Sequence, residues 1–243
     1  MAWFHAPAQE TAPDGDRPVF LLIHGVGLSH RSFSRLAHEL VAHGTVIAPD
    51  LPGFGRAPGA RRRVGIEEIA DALLPRLDDG SIGADRLVVV GHSLGAEVGI
   101  EVALRRPLLT RGLVLIGPVV DPEAASAFGQ ARRLMADMVR EPPRTGAMVA
   151  RDYARGGLLS FAAGVTSMLR YSAVARVGGV TAPLLVLRGA GDPVAPAAWA
   201  ARLSALGRDG RTADVPHAVH NVPHSRPREV GTIIAAFAAE RRG

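Results

Sequence analysis

Residues 88–100 read VVVGHSLGAEVGI. An apolar β-branched run meets Gly91, a lone Ser93 and Gly95, and then residues able to form a helix. A strand that turns into a helix over so few residues needs a bend free of crowding side chains, and glycine on both flanks supplies it. The chain is therefore expected to place a buried strand and a following helix here, with Ser93 on the sharp turn between them. A serine hydroxyl is a poor nucleophile alone, and it needs both exposure and a positioned base. The bend provides the exposure. The helix starting near Leu94 aims its free N–H groups at the same point. Ser93 is thus the candidate nucleophile, and the N–H of Leu94 a candidate donor to an oxyanion. An ordinary tight turn is the competing reading.

The rest of the chain repeats this rhythm. Short Val/Leu/Ile runs at 19–23, 45–48, 87–90, 112–116, 183–187 and 212–215 predict strands, and residues 3–5 predict a short edge strand. Helical patterns fall at 32–43, 66–77, 94–105, 196–206 and 228–240. Strands that alternate with helices imply an α/β fold, a mostly parallel central sheet flanked by helices. The rhythm breaks between Asp121 and Thr181, where no strand is evident and helical pieces are predicted at 124–140 and 146–153. Such a stretch is too long for a simple connection. It predicts a helical lid (121–181) inserted between two parts of one core domain, 1–120 and 182–243. Of its apolar residues, Met135, Met138 and Phe161 are candidates to line a substrate pocket; packing of lid on body is the alternative. Its arginines (132, 133, 140, 144, 151, 155, 170 and 176) would suit an anionic acyl substrate, or form a solvated helix face.

Composition removes other classes. Without cysteine there is no disulfide, thiol chemistry or cysteine metal site. No apolar stretch is long enough to span a membrane, and the first residues lack a basic start and an apolar core, so a cytoplasmic protein is expected. The pI near 10.9 invites a nucleic-acid reading. However, all 28 basic residues are arginine, the 23 acids nearly balance them, and the only arginine run is 61–63 with no interleaved aromatics. Nucleic acid is therefore not an expected partner.

Two further stretches bear on Ser93. The strand at 19–23 runs into His24-Gly25-Val26-Gly27, a glycine-rich turn that can bring a second N–H, that of Val26, to the same place. His24 is read as a structural brace. Residues 48–55, APDLPGFG, form a rigid loop in which Asp50 stabilises a turn and Phe54 either edges the pocket or packs beneath the lid. Glu97 and Glu101 lie one turn apart on the elbow helix and suggest a solvated face or an ion pair to arginine.

The strand–HGVG, the PDLPGFG loop and the GHSLG elbow, so spaced, resemble the α/β-hydrolase superfamily. They are most similar to its single-lid branch of esterases, lipase-like enzymes, thioesterases and carbon–carbon bond hydrolases. The resemblance runs from about residue 17 to 238. It implies the α/β-hydrolase fold and a triad in the chain order serine, acid, histidine. The acid it implies is Asp192, in LLVLRGAGDPVAP after a strand. The histidine it implies is His220, seven residues before Pro227, with Val219 standing where a glycine is usual; His217 and His224 remain alternatives. The resemblance implies ester hydrolysis of a small or medium acyl substrate, with no metal or organic cofactor. Alternatives are a thioesterase or acyl-transferring or cyclising enzyme, a carbon–carbon bond hydrolase, and a ligand receptor with an idle triad.

Overall fold

The computed structural model describes residues 2–8, 17–57, 64–121 and 127–240; the Arg61–Arg63 run lies outside them. Its seven-stranded sheet runs in the order β1-β3-β2-β4-β5-β6-β7. The strands are β1 (Ala2–Ala6), β2 (Val19–Ile23), β3 (Thr45–Asp50), β4 (Leu87–His92), β5 (Thr110–Ile116), β6 (Leu184–Gly189) and β7 (Arg211–Val215). All pair in parallel except β1, which lies antiparallel on β3 at the edge.

The continuous apolar runs follow from burial on both faces. In β2, Val19, Leu21 and Ile23 join one apolar layer, while Phe20 and Leu22 join the other. The first layer is completed by α2 (Ile66–Leu77), α3 (Leu94–Arg105) and α8 (Ala197–Leu206), and the second by α1 (Ser34–Leu40), the short α9 (Val222–Ser225) and α10 (Pro227–Ala239). Each side chain of Leu or Ile size so buried contributes about 1.5–3 kcal/mol, so no inner strand tolerates a polar alternation. Edge strand β7, RTADV, is largely exposed and departs from the apolar pattern for that reason.

The predicted helix 32–43 is split. A 3-10 turn, His30–Phe33, precedes α1, and Phe33 at φ −97°, ψ 0° marks the break. Between β5 and β6 stand α4 (Ala127–Met138), α5 (Pro143–Gly156), α6 (Leu158–Arg170) and α7 (Ala173–Val177). Residues 124–126 of the helix predicted at 124–140 lie outside the described residues. These helices are stapled to α3 through Glu101, which is fully buried. Its carboxylate accepts from Tyr171 Oη at 2.8 Å and from Arg176 at 2.8 and 3.0 Å, and it pairs with Arg105. The ion-pair reading of Glu101 therefore holds, and the solvated-face reading does not. Glu97 is buried too, with both carboxyl oxygens unpartnered. No helix among the described residues is long and apolar enough to cross a membrane.

Candidate active site

Ser93 lies between β4 and α3 with φ 55° and ψ −123°, a conformation that costs a non-glycine residue about 1–3 kcal/mol. The two glycines explain how the chain holds it. A Cβ on Gly91 would lie 2.1 Å from the carbonyl oxygen of Gly95, and one on Gly95 would lie 2.0 Å from that of Ile23. Ser93 N–H donates to the Ile116 carbonyl at 3.0 Å. Leu94 opens α3, so its N–H is among those without an intrahelical acceptor.

The loop after β2 closes on the serine. A Cβ on Gly25 would come within 3.0 Å of Ser93 Cβ, and Val26 lines the same cavity as Ser93. His24 is fully buried; its Nε2 accepts the Leu51 N–H at 3.0 Å and its Nδ1 donates to the Gly25 carbonyl at 2.8 Å. Burial lowers its pKa, so it stays neutral and braces the loop. Asp50 accepts from the His30 backbone and ring and from the Arg56 N–H, each at 2.8 Å.

Asp192 follows β6. Its Oδ1 accepts the N–H groups of Val194 and Ala195 at 2.7 and 3.1 Å, and its Oδ2 meets His220 Nδ1 at 2.9 Å. Burial opposes its ionisation, but the His220 charge and these bonds outweigh it and keep the carboxyl below its usual range. Burial also opposes a charged His220; Asp192, then Asp137 and Glu141, reverse that and raise its pKa. The carbonyl of His220 accepts from His92 Nε2 at 3.0 Å, while burial drives His92 down to about 3. His217 is exposed and takes the left-handed turn of this loop (φ 54°). His224 bonds Thr145 Oγ1 at 3.0 Å.

A cavity of about 50 Å³ brings together Val26, Ser93, His92 and His220 beneath Leu134, Asp137, Met138, Glu141, Val149 and Tyr153. Of the pocket candidates, Met138 lines it. Phe54 does not; its ring stands edge-on to His24 at 6.0 Å, buried under α5 and α6. Phe161 is one layer out, its ring 4.9 Å from that of Tyr153. The side chain of Met135 lies outside the described residues. Leu134, Asp137, Val149 and Tyr153 were missed, since amphipathic helices do not reveal from sequence which part of their inner face meets a cavity, and Glu141, in the connection between α4 and α5, carried no local signal. Among the described lining residues there are two carboxyls and no arginine, which disfavours the anionic-acyl reading. Arg133 instead pairs with Asp121 at 2.9 Å. Chemically, the arrangement can take a proton from a hydroxyl, hold an imidazolium against a carboxylate, and receive an oxyanion at a helix N-terminus.

The profile of the alpha/beta hydrolase family matches residues 20–232. A pimeloyl-[acyl-carrier protein] methyl ester esterase of Aromatoleum aromaticum is 31% identical over 251 residues, covering 90% of this chain and 97% of that protein. Among solved structures, the enol-lactonase of Burkholderia xenovorans superposes with a TM-score of 0.80 at 19% identity, over 98% of this chain and 96% of the other. A thermophilic esterase of Thermogutta terrifontis gives 0.79 at 21% identity, over 97% and 92%.

Proposed function

Because the chain belongs to the alpha/beta hydrolase family, we propose that it is a serine hydrolase cleaving a carboxylic ester of a small or medium acyl group through Ser93, His220 and Asp192. The observation that carries this reading is the His220–Asp192 bond at 2.9 Å, beside the cavity that His220 shares with the strained Ser93. In this mechanism neutral His220 takes the Ser93 hydroxyl proton through Nε2 as Oγ attacks the ester carbonyl. The N–H groups of Val26 and Leu94 hold the oxyanion. The tetrahedral species collapses, His220 gives its proton to the departing alkoxide, and the acyl group stays on Ser93. Water, deprotonated by His220, then releases the acid and restores the serine. Asp192 keeps the imidazole proton on Nδ1 and stabilises the imidazolium.

The helices at 127–177 act as the lid. The small cavity supports a short acyl group, and the methyl ester esterase among the relatives supports a small alcohol. The test is a p-nitrophenyl ester series of increasing acyl length, with fluorophosphonate labelling. Turnover of short esters, with activity reduced about 10³-fold or more in Ser93→Ala and His220→Ala, supports the reading. Undiminished turnover by Ser93→Ala overturns it. Labelling of Ser93 without turnover of any ester overturns the ester assignment alone.

A further inference from the structure

Two carboxyls tie the helices over the cavity to the loop that carries His220. Asp137 Oδ1 accepts the backbone N–H of His220 at 2.8 Å across 83 residues of chain. Glu141, in the connection between α4 and α5, accepts the backbone N–H of Asn221 at 2.7 Å and its Nδ2 at 2.9 Å through Oε1. Both carboxyls line the cavity. Their remaining oxygens, Asp137 Oδ2 and Glu141 Oε2, are buried and have no N–H or hydroxyl donor, and both carboxyls face the same cavity, near enough for their charges to interact.

Two adjoining buried carboxylates repel strongly, so one proton between them satisfies both oxygens. Charge sits best on Asp137, the acid bonded to the residue whose ring becomes cationic during the reaction. We propose that Glu141 is held protonated, donating from Oε2 to Asp137 Oδ2, and that the Asp137 carboxylate is a second anchor of the base, a positioning residue that fixes the His220 backbone and favours its imidazolium. This rests on the reading of His220 as the base. Burial raises both carboxyls, repulsion from Asp137 adds to the rise of Glu141, and both directions agree with a retained proton. The other titratable groups facing His220 are Asp192 from the loop after β6 and His92 from the end of β4; Tyr153 of α5 faces Asp137.

The test is the pH profile of kcat and KM for the full-length enzyme on a short p-nitrophenyl ester. Asp137→Asn keeps the shape and removes the charge. The acid limb of kcat/KM then moves down by about half to one pH unit, and kcat falls roughly tenfold with KM nearly unchanged. Asp137→Ala also removes the acceptor, and kcat falls about 10²-fold. Glu141→Ala damages kcat similarly, and Glu141→Gln, whose amide copies the protonated acid, restores most of it. A wild-type profile and kcat in Asp137→Asn overturn the anchor. Glu141→Gln as impaired as Glu141→Ala overturns the placement of the proton. The isosteric variants keep the test decisive where alanine variants unfold. Full activity in Ser93→Ala would instead sink the serine reading underneath, a distinct result.

Discussion

At the scale of single residues, Ser93 and Gly95 show how local sequence is bound to distant backbone. Gly95→Ala would drive a Cβ to 2.0 Å from the Ile23 carbonyl, backbone against backbone. We expect it to cost about 3 kcal/mol or more, read as a drop in the urea midpoint at unchanged m-value. Glu97 gives a prediction of opposite sign. Burial holds its pKa well above 4.5, followed by repulsion from Glu67. The unfolded chain ionises near 4.5 while the folded chain retains the proton, so stability falls as pH rises between the two values. Glu97→Gln has no proton to lose. Its melting temperature should match wild type near pH 4 and exceed it by a growing margin as the pH rises above that; a constant margin would refute the buried-proton account. Ser93 was legible because its signal is contained in five consecutive residues. Asp137 was not. One carboxyl on an amphipathic helix looks the same whether it meets water or the backbone of residue 220.

Elements differ in the same way. The strands declared themselves because both faces of the sheet are covered, and two-sided burial leaves an apolar run that needs no partner to be recognised. The helices at 127–177 were legible as helices, but their rotation about the axis was not. That is why Met138 reached the cavity while Phe54 and Phe161 fell into the layer behind it. Two measurements address this element. Met138→Ala and Tyr153→Ala enlarge a cavity of about 50 Å³, so the preferred acyl chain should lengthen by about two to four carbons at about 0.8 kcal/mol for each methylene buried. No shift in the length optimum would mean that acyl groups bind elsewhere. Arg176→Ala removes the two bonds from α7 to buried Glu101 while leaving those from Arg105 and Tyr171. It should cost about 0.5–1.5 kcal/mol in thermal or urea unfolding, because Arg176 is nearly half exposed and solvent screens the pair.

Taken whole, the molecule draws its working groups from far apart along the chain. The serine, acid and histidine of the proposed triad sit at 93, 192 and 220, and the bond from His92 to the His220 carbonyl closes 128 residues. Parallel pairing demands such crossovers, and non-local closure is slow. The strained turn at Ser93 can take shape once β2, β4 and β5 are paired, whereas His220, the proposed base, arrives only with the segment after β7. The consequence is temporal. On dilution from denaturant, helical ellipticity should return before the proposed ester turnover, and a nascent chain stopped short of residue 220 would carry a formed turn at Ser93 without the proposed base. Under the proposed mechanism turnover reports the arrival of the segment that carries His220, which makes it the last clock to start.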